Sequence, residues 1–240
     1  MVTAPPQHPN PPAGARRKPW WRRTWTLPFA LITLVFLSTA VPPYLDLGPA
    51  TAPIPIRPEP VWYYPLLVTH IFGGTLLMLI AVAQLWPWLR RTRPRLHRWS
   101  GRLYVLAGLP MVGLASLMIG PLAHGGTAVA FNNVVWALGW SAFTLLGYAA
   151  ARRKDFARHR EWMLRSVVLL YAIATARVTL PLMVLAFLWL GGTPSGGVEA
   201  LLLELAPLSL LVNVVIPLLV LEWWFQYGRR SRRVRPRTSR

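Results

Sequence analysis

The sequence predicts an all-α polytopic membrane protein, with six transmembrane helices and a four-helix core made of a duplicated hairpin. Of its 240 residues, 54% are hydrophobic and only 14% are charged. A soluble domain usually carries nearly twice that charged fraction. Several stretches of roughly 20 apolar residues are long enough to cross a hydrocarbon core of about 30 Å as helices. Basic residues are concentrated in alternate connections between these stretches.

The distribution of basic charge predicts the orientation. Of the 26 Lys and Arg residues, 24 lie in four segments: 16–23, 90–102, 152–165 and 229–240. The positive-inside rule makes these the cytoplasmic segments of a bacterial inner-membrane protein with both termini in the cytoplasm. The net charge of +19 is therefore assigned to orientation and to contact with the anionic headgroups of the lipid bilayer. We expect no nucleic-acid partner.

The order of elements follows from apolar length and Pro-rich breaks. The predicted parts are a disordered cytoplasmic tail (1–19), a first transmembrane helix and an external Pro-rich loop (20–61), the four-helix membrane core (62–190), an external turn and sixth helix (191–227), and a basic cytoplasmic tail (228–240). The first apolar segment, about 25–44, also resembles a cleavable signal peptide, because a basic stretch precedes it and small residues end it.

The core is predicted to repeat one hairpin. Its spans cover about 62–89, 101–122, 128–151 and 162–190, and the loops after the first and third spans share a pattern. Each loop reads Arg-Arg, five residues, His-Arg and then Trp within two more residues, 62 residues apart. A repeated loop with a histidine at the same depth indicates a duplicated unit and a site formed by pairing the copies.

That pairing points to His97 and His159. Bis-histidine binding of haem b needs one imidazole on each side of the porphyrin plane, from facing helices. Arg98 and Arg160 beside them would neutralise the propionates through charge-assisted contacts, together with other nearby arginines: Arg95, Arg102, Arg158 and Arg165. The alternative is that both histidines cap helices or meet lipid phosphate.

Two more histidines and one arginine are candidates. His70 lies on one helix face with Gly73 and Gly74, which indicates either a hydrogen bond across a close helix crossing or a haem ligand. His124 is either a ligand facing His70 or a solvated loop residue.

Arg177 is predicted near mid-membrane, where an arginine costs about 2.5–3.5 kcal/mol and needs a partner. The candidate partners are Glu204, Asn213 and an anionic ligand near His70. An Arg177–Glu204 pair is favoured, and a contact with a bound cofactor is the alternative.

Several kinds of chemistry are excluded or without signal. The chain has no cysteine, which excludes disulfides, iron–sulfur clusters and cysteine nucleophiles. The sequence contains no nucleophile–base pair, phosphate loop or paired catalytic carboxylates, and it names no catalytic residue. Whether the protein is an enzyme stays open at this point.

The segments around His70, His97 and His159 resemble a known family. His70-Ile-Phe-Gly-Gly, His97-Arg-Trp-Ser-Gly-Arg and His159-Arg-Glu-Trp-Met-Leu-Arg look like the bacterial integral membrane family called domain of unknown function 2306, over about residues 63–180. That family brings no established activity. A looser resemblance to cytochrome b561 implies two haems, one held by His70 and His124 and the other by His97 and His159. The sequence departs from that pattern because His124 lies in a loop.

Two functional hypotheses result. The first is b-type haem electron transfer across the membrane, with an unidentified redox or membrane-protein partner. The second is a non-enzymatic membrane protein, such as a small transporter, sensor or assembly partner, in which the histidines are structural or respond to pH.

Overall fold

The computed structural model describes residues 26–53, 56 and 59–233, with side chains as far as Tyr227. Every regular element in these ranges is helical, which confirms the predicted all-α class. The main helices are α1 (Leu27–Ala40), α2 (Tyr63–Leu85), α3 (Pro87–Thr92), α4 (Pro94–Leu106), α5 (Ala115–Ile119), α6 (Gly126–Arg152), α7 (Phe156–Trp189) and α8 (Gly197–Arg233). The predicted disordered tail, 1–19, and the end of the basic tail, 234–240, lie outside the described residues.

Five helical segments are long and apolar enough to cross a membrane. They are Tyr63–Leu85, Pro94–Leu122, Gly126–Arg152, Phe156–Trp189 and Gly197–Tyr227. The first predicted span is shorter than expected: α1 has 14 residues and is about 21 Å long. It ends before Pro42, which opens a short 3₁₀ turn, Pro42–Tyr44. The protein is therefore an all-α, polytopic membrane protein.

The two predicted basic loops are largely helical, so their predicted boundaries are wrong. The second span ends at Leu85 rather than Leu89, because Trp86 adopts an extended conformation before Pro87. Pro87 and Pro94 then open α3 and α4, since proline suits the first turn of a helix. His97 consequently lies on α4.

The second connection is shorter still. Helix α6 ends at Arg152 and α7 begins at Phe156, which leaves three residues between them and places His159 in the first turn of α7. Asp155 caps that turn by accepting a hydrogen bond from the backbone N–H of Arg158 at 3.1 Å. A polar, charged sequence predicted a loop here, but the cap and the helix-forming residues after it extend α7.

The membrane core has the predicted four-helix arrangement of two hairpins. Helix α2 packs against α4, α5 and the segment between them, and α6 packs against α7. Helix α7 also contacts α2, so α4 and α7 stand at opposite corners and run in the same direction. Helix α1 lies outside against α2 and α7, and α8 lies outside against α7 and α6.

The helix that contains α4 and α5 changes its winding at its centre. Leu109–Leu114 forms a π-helical turn between the two. A Cβ at Gly108 would lie 2.8 Å from Leu77, and one at Gly113 would lie 2.5 Å from the Ser141 hydroxyl oxygen. The π-helical turn therefore approaches α2 and α6 at distances that only glycine permits.

The two ends of the core differ in composition. We call the end that carries His97 and His159 the basic end, because the 90–102 and 152–165 segments lie there. The opposite end, here the loop end, carries the connection between α1 and α2. Tyr44 of that connection is buried against Tyr63, Leu67 and Ile119, and the Tyr64 hydroxyl donates to the Gly48 carbonyl at 2.6 Å.

Candidate functional site

The two repeat-matched histidines lie at the basic end on opposite corners of the core. His97 is seven residues before Tyr104 on α4, and His159 is seven residues before Ser166 on α7. The Tyr104 and Ser166 oxygens are 2.9 Å apart. Because seven residues are about two helical turns, each histidine shares a face with one of these bonded residues. His159 is also close enough to act electrostatically on His97.

His159 is oriented by a backbone carbonyl. Its Nδ1 lies 2.8 Å from the carbonyl oxygen of Gly147 on α6. A carbonyl can only accept, so Nδ1 of His159 donates this hydrogen bond. Metal-binding histidines are commonly held in this way. Gly147 is required for the approach, since a Cβ there would lie 2.6 Å from the Met163 sulfur.

His97 has a buried nitrogen without a partner. Its backbone carbonyl accepts a hydrogen bond from the Gln84 amide at 2.7 Å, which ties α4 to α2. Its Nδ1 is buried and makes no hydrogen bond with any described residue. Leaving a buried polar atom unsatisfied costs about 1–3 kcal/mol.

The two rings differ in their partners. The His159 ring is held by the Gly147 carbonyl, whereas Nδ1 of His97 has no partner among the described residues. A haem iron would need one nitrogen of each ring to face a shared site between the helices. Within the described part of the chain, no cluster of three or more His, Asp or Glu side chains is suited to a metal ion.

The arginines predicted around the pair differ in their contacts. Arg98 lies close enough to His97 to act on it electrostatically, as does Arg90, which was not among the predicted arginines. The Arg160 guanidinium instead lies 5.4 Å from the Trp224 ring centroid on α8. Arg165 also turns towards α8, where its Nε and a terminal nitrogen bind the two Glu222 oxygens at 2.6 and 3.0 Å.

A buried polar network lies next to the two histidines, towards the middle of the core. Ser166 contacts both the Tyr104 and Thr144 hydroxyls, at 2.9 and 2.7 Å. The Trp140 indole donates to the Tyr104 hydroxyl at 3.3 Å. These four side chains join α4, α6 and α7 and fix the spacing of the helices that carry His97 and His159. Sequence reasoning missed them, although Tyr104 and Ser166 have the 62-residue spacing of the repeat.

His70 makes different contacts in the other half of the core. Its Nδ1 is 3.0 Å from the Ser116 hydroxyl oxygen, and its ring meets the Trp136 ring edge-on at 6.3 Å. A Cβ at Gly73 would lie 2.8 Å from Met111, so the predicted close helix approach is confirmed there.

His124 lies just before α6 and has a buried Nδ1 with no partner among the described residues. The structure records no contact between it and His70. The pairing of these two that the cytochrome b561 resemblance implies stays a prediction, and the contacts of His70 favour the helix-crossing alternative.

The predicted Arg177–Glu204 ion pair is wrong, because the structure records no contact between these two described residues. The Arg177 guanidinium lies 5.4 Å from the Phe36 ring centroid on α1, whereas Glu204 belongs to α8. Asn213, the other proposed protein partner, donates to the Thr179 hydroxyl at 2.6 Å and to the Ser209 carbonyl at 2.7 Å. Arg177 therefore faces α1, and Asn213 is engaged by Thr179 and Ser209.

The fold and this site define a polytopic helical membrane protein with two histidines, His97 and His159, at one end of a four-helix core. The chain belongs to the family described as predicted membrane protein DUF2306, whose profile matches residues 67–221. That range includes all four core helices and most of α8, and it confirms the resemblance seen in the sequence. No curated protein and no solved structure gives a significant match.

Proposed function

We propose that this protein binds one b-type haem at its basic end, between His97 and His159, and transfers electrons in the bacterial inner membrane. The observation that carries the proposal is the orientation of His159, whose Nδ1 is held by the Gly147 carbonyl at 2.8 Å. A bound haem would supply one-electron redox chemistry. The positive-inside rule would place this end in the cytoplasm.

The chain's own residues have separate roles in this proposal. His159 and His97 are the two ligand candidates. Arg98 and Arg90 supply positive charge next to His97 and would bind carboxylates at the edge of the site. The Tyr104–Ser166–Thr144 network holds the two histidine-bearing helices at a fixed separation.

Reduced-minus-oxidised visible spectra test the proposal. The protein is purified in mild detergent from cells with ample haem supply, as wild type and as His97→Ala and His159→Ala. We expect a b-type absorption band in the wild type and its loss in both variants. His124→Ala is the matched control, since it removes a histidine of the loop end and should keep the band. No band in the wild type, or an unchanged band in His97→Ala and His159→Ala, would refute haem binding at this site.

A second candidate is a non-enzymatic membrane protein with structural histidines. It is favoured by the two hydrogen bonds that join neighbouring elements, from His70 to Ser116 at 3.0 Å and from His159 to Gly147 at 2.8 Å. This alternative predicts that His70→Ala and His159→Ala lower the thermal stability by similar amounts, about 1 kcal/mol each. It also predicts that neither variant changes a visible spectrum.

A further inference from the structure

Arg177 lies where the end of α1 meets α7, away from the proposed haem site. Helices α1 and α7 run in parallel, since Thr33 hydrogen-bonds to Tyr171 at 2.7 Å and Phe36 lies against Arg177. Tyr44, just past the end of α1, is close enough to Arg177 for an electrostatic interaction. The Arg177 guanidinium therefore lies near the end of α1, on the side of the core that faces the loop end.

The positive charge of Arg177 is not matched by a protein carboxylate in the described part of the chain. The two ion pairs found there involve Arg158 and Arg165. The Asp46 carboxylate, in the connection between α1 and α2, accepts hydrogen bonds from the Thr51 hydroxyl and the Gly48 N–H. Arg177 is exposed at the protein surface, and an arginine within an apolar span is costly unless an anion accompanies it.

We propose that Arg177 and Tyr44 form a binding site for a phosphate group, the chemistry shared by an anionic lipid headgroup and a free phosphate. A guanidinium binds phosphate through two parallel N–H donors. The Phe36 ring holds the Arg177 guanidinium by a cation–π contact. The Tyr44 hydroxyl supplies a further donor, because burial raises the pKa of Tyr44 against the opposing influence of Arg177. The site is independent of haem.

The surroundings favour the lipid as the source of the phosphate. Ile173 and Val178 on the same helix are 39% and 44% exposed, so acyl chains of a bound lipid would have apolar side chains to cover. An arginine can lay its aliphatic stem along apolar surface and extend its guanidinium towards the headgroup level. A free phosphate has no acyl chains and would gain no affinity from these apolar side chains.

Photocrosslinking tests the site directly. Phosphatidylglycerol with a photoreactive acyl chain is incorporated with the protein into nanodiscs, and labelled peptides are mapped by mass spectrometry. We expect labelling of α1 and of α7 around Ile173 and Val178 in the wild type, reduced at least fivefold in Arg177→Gln. Labelling at the basic end of the same Arg177→Gln sample is the internal control and should not change. Equal labelling around Arg177 in wild type and Arg177→Gln would overturn the proposal.

A thermal-shift series separates the two sources of phosphate and guards against misfolding. Phosphatidylglycerol, phosphatidylcholine and inorganic phosphate are added in turn to the detergent-purified protein. We expect stabilisation by phosphatidylglycerol that is lost in Arg177→Gln, partly kept in Arg177→Lys and fully kept in Arg158→Gln, an exposed arginine of the basic end. Stabilisation by inorganic phosphate alone that also depends on Arg177 would support the phosphate site and assign it to a free anion. The same lipid response in Arg177→Gln as in the wild type would refute it.

Discussion

Arg165 and Arg177 lie twelve residues apart on α7, and different groups contact their guanidinium groups. Arg165 binds both oxygens of Glu222 and lies between Trp162 and Phe225, with ring centroids 4.6 and 5.1 Å away. Arg177 has the Phe36 ring but no ion pair with a described residue. The difference follows from the neighbouring helix, since α8 supplies a carboxylate at one level and α1 supplies only apolar and aromatic groups at the other. One arginine is therefore a helix-joining residue, and the other is available to an external anion.

The largest expected effect on stability comes from removing Glu222, the carboxylate that pairs with Arg165. Glu222→Gln leaves the Arg165 guanidinium, whose side chain is 13% exposed, without its counter-charge. We expect a loss of about 1–3 kcal/mol in unfolding free energy, less than for a fully buried pair because Glu222 is 40% exposed. Thermal unfolding in detergent measures it. The double variant with Arg165→Gln should lose little more than either single variant, and strict additivity would show that the pair is not coupled.

A carboxylate placed beside Arg177 should give this arginine an internal ion pair, as Arg165 already has. Ile173→Glu places an acidic side chain four residues before Arg177 on a face that is 39% exposed, the favourable order for an ion pair on a helix. We expect this variant to lose most of the stabilisation by added phosphatidylglycerol, because Arg177 then has an internal partner. Ile173→Gln is the uncharged control: it removes the same apolar side chain, so the further loss of response in Ile173→Glu measures the effect of the added charge alone. A full lipid response in Ile173→Glu would contradict the view that Arg177 is the responding group.

The smallest expected effect concerns the Phe36 ring beneath Arg177. A double-mutant cycle of Phe36→Leu and Arg177→Gln separates the cation–π contact from the packing lost with the ring. We expect a coupling of about 0.5–1 kcal/mol in unfolding free energy, typical of a partly exposed cation–π pair. A coupling near zero would mean that the ring only fills space. The cycle is measured by thermal unfolding at fixed lipid content.

The fold was predictable to a large extent because membrane burial leaves a strong signal in the sequence. Apolar length predicted the spans of α2, α6, α7 and α8, since helices are the structures that satisfy all backbone groups in a bilayer within one segment. The ends of the helices were predicted less well. The arginines of segment 90–99 indicate a loop, whereas Pro87 and Pro94, which open helices there, carry the better signal.

The site was predictable only where the repeat revealed it. The 62-residue spacing predicts the pairing of His97 with His159, which stays a prediction; the structure places both at the basic end, where His159 acts electrostatically on His97. The orientation of each ring depends on a backbone carbonyl or a missing partner on another helix, which no local pattern records. Arg177 was assigned to Glu204 because both lie in apolar segments. The choice of partner depends on which neighbour α7 faces at that level, and this is a property of the packing.

The π-helical turn at Leu109–Leu114 changes the rotational phase of the helix that contains it. Tyr104 and Ser116 are twelve residues apart, which in a continuous α-helix would separate their directions by about 120°. A π-type turn adds one residue, and the eleven remaining steps of about 100° bring the two within about 20°. That correction lets one helix direct Tyr104 to Ser166 and Ser116 to His70. The added residue thus acts as an angular spacer, and its deletion would turn one of the two hydroxyls out of the bundle.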